Sequence, residues 1–243
     1  VIVMIIEVWS DFVCPFCYIG KRRLEQALDV FPHKDKVEIQ FKAFELDPNA
    51  SRETTLTIHE AIAKKYGTSV EQAKKMNDNI VQQAKEVGLQ FNYDKVKFTN
   101  TLDAHRLAKF AETKGNAAEM TERLLHAYFH DNIVLSDKKS LLKLAAELGL
   151  DQTETDLILK GDQFESEVRF DEQEAREIGV QGVPFFVINR KYAISGAQPK
   201  EVFLNALEQV WEEENQKQTL QPLGKTDQTA AVCNETGCDI DNK

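Results

Sequence analysis

Cysteine is scarce in this chain and unevenly placed. Of 243 residues only four are cysteine, and none lies between Tyr18 and Val232. A secreted domain stapled by disulfides spreads its cysteines through the fold, so that class is excluded. Long apolar runs are missing as well. The run at the start, Val1–Ile6, falls far short of the roughly 20 residues a membrane-spanning helix needs. No membrane partner is therefore expected. Positive charge is in deficit, with 30 Lys and Arg against 40 Asp and Glu and a formal net charge of −10. Such a chain repels phosphate backbones, which argues against nucleic acid as a partner. The start lacks the basic segment and small-residue cleavage site of a secretory leader. A cytoplasmic location is expected, with Met4 as the natural first residue.

What is present is the composition of a globular protein, 42% hydrophobic and 29% charged. Its length corresponds to one or two domains of about 150 residues each. Ile2–Trp9 is short, apolar and β-branched, and predicts a buried strand. Residues 14–30 follow with helical spacing at Leu24, Ala27, Leu28 and Phe31, and Val37–Phe44 alternates as a half-buried strand does. From residue 48 to about residue 176 the pattern is mostly helical. Ser69 and Gln72 have the spacing of a capping box, which opens a helix to about Val87. Further helices are predicted over 102–112, 117–129, 138–148 and 154–160, with glycines near their ends. The β signal returns at 184–189 and 192–195 around a turn at Arg190-Lys191, and a helix is predicted over 199–214.

The sum is β-α-β, a long helical stretch, then β-β-α. That order predicts an α/β protein in which two pieces of one sheet enclose a helical insertion. The expected organisation is a first half at 1–47, the insertion at 48–176 and a second half at 177–214. Residues 215–243, rich in Gln, Thr and Asn, are expected to form a flexible tail.

Cys14-Pro15-Phe16-Cys17 sits where a strand feeds a helix. Unsatisfied amides and the helix dipole stabilise an anion there, so Cys14 is expected to be a thiolate of lowered pKa. Cys17, three residues on and less exposed, is placed to attack Cys14 once a mixed disulfide has formed. A zinc knuckle needs the same residue type. The strand-then-helix setting, Pro15 in the first turn and the flanking aromatics favour redox chemistry. A second signal is Gly182-Val183-Pro184-Phe185, a proline directly before an apolar strand, compatible with a cis peptide bond.

Together, Glu7-Val8-Trp9-Ser10-Asp11-Phe12-Val13-Cys14-Pro15-Phe16-Cys17-Tyr18 and Gly179-Val180-Gln181-Gly182-Val183-Pro184-Phe185-Phe186 resemble the DsbA family of thioredoxin-fold proteins. Within it the chain is similar to the FrnE-like dithiol-disulfide isomerases. Asn100-Thr101 and Ala104-His105-Arg106 share that likeness, which spans about residues 4–214. The resemblance implies a thioredoxin fold with a helical domain inserted between its halves. It implies Cys14 as nucleophile and Cys17 as resolver. It implies a cis Pro184 beside the pair and a Val183 backbone that pairs with bound peptide. Related hydroxychromene-carboxylate isomerases and kappa-class glutathione transferases usually carry Ser at the position of Cys14, so the second cysteine favours dithiol chemistry here.

The expected activity is reduction or rearrangement of disulfides in protein substrates. A low-molecular-weight thiol or a thioredoxin system would serve for recycling, without a cofactor or a bound metal. A glutathione-using isomerase or transferase, a zinc-binding redox sensor and a chaperone module are the rival readings. Glu7, on the first strand, is a candidate to accept the proton of Cys17, with an outward-facing Glu as the equal alternative. Asp11 reads as an ordinary loop or capping residue. His105 and Arg106, which follow Asn100-Thr101 on a helix of the insertion, read either as a polar wall of the substrate groove or as an interhelical hydrogen-bond pair, and Asn100, Pro15 and Phe16 are further candidates for substrate binding. His126 and His130 read as a pair on a helix surface.

Cys233 and Cys238 form the second pair. A disulfide between them would close so short a loop that the chain-entropy gain is only about 2 kcal/mol. A redox role is therefore expected. Cys233 lies 19 residues beyond Glu214, a span of up to about 65 Å extended or about 25 Å as coil. Tethering gives an effective concentration on the order of mM, which favours exchange with the Cys14 pair.

Overall fold

The computed structural model describes residues 3–215 and two short strands at 232–234 and 237–239. Strand β1 (Met4–Ser10) leads into α1 (Pro15–Val30), and β2 (Val37–Ala43) returns parallel to β1. Helices α2 (Ile58–Tyr66), α3 (Val70–Glu86), α4 (Leu102–Thr113), α5 (Ala117–Phe129), α6 (Lys138–Glu147), α7 (Gln152–Lys160) and α8 (Glu165–Glu177) follow. Strands β3 (Phe185–Ile188) and β4 (Tyr192–Ser195) and helix α9 (Lys200–Asn215) complete the α/β unit. The sheet order is β2-β1-β3-β4, with β3 antiparallel to β1 and to β4. This is the thioredoxin-fold arrangement expected from the sequence, with the helices inserted between β2 and β3.

The period of two along β1 sorts its side chains between two layers. Met4, Ile6 and Val8 join Phe186 and Ile188 of β3 and pack against Leu24 and Ala27 of α1 and Phe203, Leu207 and Val210 of α9. Glu7 and Trp9 point to the other face. There Trp9 is fully buried against Ala175 of α8 and its ring N–H donates to the Asp171 carbonyl at 2.8 Å. A separate core fills the inserted helices, and it also takes in Phe12, Tyr18 and Ile19. The beginning of α1 is thus shared between the sheet and the insertion, which fixes the strand-to-helix turn from both sides.

The Ser69–Gln72 capping box forms as expected, with Gln72 N–H on the Ser69 hydroxyl at 3.1 Å. An equivalent box at Thr57 and Glu60 opens α2. The turn between β3 and β4 lies one residue earlier than expected. Asn189 and Arg190 both take left-handed backbone, with φ of 50° and 53°. Asn189 suits that region, and its amide and side chain bond the Ile5 backbone at 2.9 and 2.8 Å. Strands β5 (Val232–Asn234) and β6 (Gly237–Asp239) pair antiparallel with Cys233 opposite Cys238. The expected exchange of these cysteines with the Cys14 pair lies outside the described residues.

Candidate active site

Cys14 is the N-cap of α1, with extended backbone (φ −89°, ψ 112°), and Pro15 occupies the first turn. The turn before it is closed by the Cys14 amide on the Asp11 carbonyl at 3.1 Å, and the Cys17 amide bonds the Cys14 carbonyl at 3.1 Å. These bonds set the two sulfurs one turn apart on the same face of the helix. The sequence suggested an exposed Cys14 above a covered Cys17. Both are buried, at 5% and 2% exposure. Cys14 is covered by the segment before β3, whose Val183 carbonyl accepts from the Cys14 thiol at 3.6 Å. The Val183–Pro184 peptide is cis. Phe16 is exposed and Pro15 half-buried, so these two residues form the outer rim beside Val183.

Cys17 is the deeper sulfur. Burial pushes its thiol well above the ordinary range, and the hydrogen bond and charge of Cys14 act in the same direction. The amide N–H of Asp11 donates to the Cys17 sulfur at 3.5 Å and works against this, while the Asp11 charge adds to it. Asp11 is therefore more than a loop residue. Its carboxylate is buried, accepting from the Leu46 amide at 2.8 Å and from His105 Nε2 at 3.1 Å. The signal for it in the sequence was an acid three residues before Cys14, inside the turn that the helix start requires.

The remaining candidates separate. His105 is brought to the site by its bond to Asp11 and by packing of its ring on Phe12, centroids 4.7 Å apart. Glu7 is not. It lies on the opposite face of the sheet from α1, paired with Arg190 and 3.6 Å from Lys42. The expectation that it accepts the Cys17 proton is corrected by the register of β1, and so is its alternative, since Glu7 is buried. Asn100 and Arg106 do not form a groove wall. Asn100 holds the Ala50 carbonyl at 3.2 Å and accepts from the Leu102 amide at 3.0 Å. Arg106 bonds Asp103 and the carbonyls of Ile158, Gly161 and Gln163, tying α4 to the C-terminal end of α7 and the segment after it. The Arg106 bonds run between helices, whereas those of Asn100 tie the loop at Ala50 to the start of α4. At the C-terminal end of α5, ligand atoms of His126, His130 and Asp131 lie within 4.8 Å of one another, with Asp131 held by Arg123 at 2.8 Å.

A DSBA-like thioredoxin domain matches residues 5–208, most of the described chain. The chain belongs to the DsbA-like thioredoxin family. In this family, the probable DsbA oxidoreductase SCO1869 from Streptomyces coelicolor is 38% identical, with a TM-score of 0.83 over 98% of this chain and 100% of that one. The uncharacterized protein YwbO of Bacillus subtilis (strain 168) is 29% identical over 204 residues, covering 83% of this chain and 94% of that protein. The cytosolic disulfide reductase DsbM from Pseudomonas aeruginosa shares the fold at 16% identity, with a TM-score of 0.61 over 86% of this chain and 99% of that one. DsbM has also been solved with GSH. The fold is also shared by a protein described as a putative protein disulfide isomerase from Nitrosomonas europaea and by a 2-hydroxychromene-2-carboxylate isomerase. Among the described residues no helix is long and apolar enough to cross a membrane.

Proposed function

We propose that this chain reduces or rearranges disulfides of protein substrates through Cys14 and Cys17, as a cytoplasmic enzyme of the FrnE-like kind. Cys14 as thiolate attacks one sulfur of the substrate disulfide. That S–S bond breaks, one substrate sulfur leaves as thiolate and is protonated, and a Cys14–substrate mixed disulfide forms. Cys17 then loses its proton and attacks the Cys14 sulfur. The Cys14–Cys17 disulfide forms as the second substrate sulfur leaves. The substrate gains two electrons, the enzyme pair loses two, and a thiol reductant must return them. If the substrate attacks back before Cys17 does, the outcome is rearrangement instead.

The observation that carries this reading is the position of Cys14. It begins α1, where the amides and dipole of the helix favour an anion, with Cys17 one turn deeper and the Val183 backbone alongside. The rim of Pro15, Phe16 and Val183 offers apolar surface, and the Val183 backbone lies outside the sheet where an extended peptide can pair with it once its carbonyl parts from the Cys14 thiol. Cys233 and Cys238 serve as a second dithiol that exchanges with the first. The presence of GSH on DsbM favours a low-molecular-weight thiol as the reductant that restores Cys14 and Cys17.

The test is thiol-dependent reduction of insulin disulfides, with mass analysis of trapped adducts. Cys14→Ser is expected to abolish turnover. Cys17→Ser is expected to accumulate a mixed disulfide on Cys14. Turnover that survives Cys14→Ser would overturn the assignment.

A further inference from the structure

The two histidines at the end of α5 have no part in the dithiol cycle. His126 and His130 are four residues apart, so they stand one above the other on the same side of the helix. The chain then turns back. The Asp131 amide donates to the His126 carbonyl at 3.2 Å, which returns the Asp131 side chain toward the His126 ring. His126 Nδ1 lies 3.4 Å from Asp131 Oδ2. That is longer than an ordinary hydrogen bond of about 2.7–3.2 Å. It matches the edge of a zinc tetrahedron, about 3.4 Å for metal bonds of about 2.0–2.2 Å to nitrogen and oxygen. His130 supplies a third ligand atom, and all three lie within 4.8 Å of one another.

Residues outside the cluster hold it in this arrangement. His130 Nδ1 is 3.0 Å from the Gln90 carbonyl. A ring nitrogen that meets a carbonyl carries the proton, so Nε2 keeps its lone pair and is the nitrogen free to bind a metal. The backbone around His130 is tied to the same segment. The Asn92 amide donates to the Phe129 carbonyl at 2.8 Å, and the Asn132 side chain donates to the Asn92 carbonyl at 3.0 Å. Arg123 bonds Asp131 at 2.8 Å and Glu147 at 2.5 Å. Glu147 matches the Arg123 charge, which leaves the Asp131 charge to a cation. Burial would raise the Asp131 carboxyl, but Arg123 and His126 outweigh that and hold it below the usual carboxylate range.

We propose that His126, His130 and Asp131 bind a divalent transition-metal ion of the zinc class, with water in the fourth position. Two imidazoles and a carboxylate are a donor set that suits such an ion, and a small rotation of the partly exposed side chains closes it. The ion joins the last turn of α5 to the chain beyond it. Through His130 and Gln90 it also bears on the segment that follows α3. The site uses neither cysteine pair and stands apart from the dithiol cycle, so its role is to fasten the inserted helices rather than to react.

The experiment is calorimetric titration of Zn²⁺ into the full-length chain, free of any purification tag and with its thiols oxidised so that cysteine does not take up the ion. One ion per chain is expected. His126→Ala, His130→Ala and Asp131→Asn are each expected to weaken binding by at least about 10-fold. His33→Ala, whose ring stacks on Trp211 at 4.0 Å, is expected to bind as the native chain does. At a free Zn²⁺ concentration 100 times the dissociation constant, the melting temperature should rise by about 5–10 °C in the native chain and not in His130→Ala. Should the variants fail to fold, nitrogen-15 NMR of histidine-labelled native protein decides. Zn²⁺ is expected to move the ring signals of His126 and His130 and to leave those of His33, His59 and His105 in place. Absence of binding, equal affinity in the native chain and the three variants, or unmoved His126 and His130 signals would overturn the proposal.

Discussion

Gly20 lies on α1, one turn beyond Cys17, where the helix presses on the segment that covers the cysteines. A Cβ at this position would meet Pro184 Cγ at 3.0 Å, Phe186 Cζ at 3.3 Å and the Ala197 Cα at 3.4 Å. None of these is the loose end of a flexible chain, since a ring, a core aromatic and backbone must all give. Helix propensity alone would favour Ala over Gly by about 1 kcal/mol. Overpacking of a rigid contact costs about 1–3 kcal/mol and acts directly on the Cys14 environment. The clash is therefore expected to win. Gly20→Ala should lower the melting temperature by a few degrees, at about 2–4 °C per kcal/mol for a chain of this size. It should also speed alkylation of Cys14 by lifting the Val183 carbonyl off the thiol. An unchanged melt with unchanged alkylation would show that α1 and the Pro184 loop are not in close register. The reactive residues of this region were legible because the chemistry dictates their spacing along one turn. Asp11 and its partner His105 lie 94 residues apart, and nothing local in the chain announces such a bond.

At the scale of elements, α1 is clamped to α5 by a single carboxylate. Glu122 accepts from the Tyr18 hydroxyl at 2.6 Å, Lys21 at 2.5 Å and Arg22 at 2.7 Å. Burial would raise its carboxyl, but the charge and hydrogen bond of Lys21, with Tyr18 and Arg22, outweigh that and bring it down to about 2. A folded-state value below that of the unfolded chain stabilises the fold once pH exceeds the ordinary carboxylate value near 4.5. The contribution fades as pH falls from there toward about 2. Glu122→Gln should accordingly be less stable than the native chain at neutral pH and converge with it in acid, measured by urea unfolding at several pH values. A gap that stays constant with pH would mean that the clamp is not electrostatic. The sequence revealed those helices whose burial is apolar, α5 over its full length among them. It left α8 unseparated because two of its four buried residues are acids, Asp171 and Glu172. Asp171 meets Lys109 at 2.6 Å and the Ala43 amide at 2.8 Å. A face made of ion pairs to distant elements carries no hydrophobic period.

For the whole molecule, the open question is how electrons reach a pair of cysteines that the fold keeps covered. A bulky protein reductant must displace the Val183 segment and the Phe16 rim, whereas a dithiol on the chain's own end needs only a slender approach. Cys233 and Cys238 are paired positions in the register of β5 and β6. The 19 residues from Glu214 to Cys233 can span up to about 65 Å, more than the distance across a domain of this size. At an effective concentration on the order of mM, the tail pair would outcompete dilute external thiols for the Cys14–Cys17 disulfide. Replacing both tail cysteines by Ser should then slow turnover in limiting thiol or raise sensitivity to peroxide, while single-turnover attack by Cys14 keeps its rate. Excess small thiol should restore turnover, because it supplies electrons by the other route. The equilibrium potential of the Cys14–Cys17 couple, compared with the tail present and removed, gives an independent reading. Exchange within the chain requires the two pairs to titrate together in the intact protein. Separate titration, with turnover and peroxide sensitivity both unaltered in the double variant, would leave the second pair without a part in the cycle.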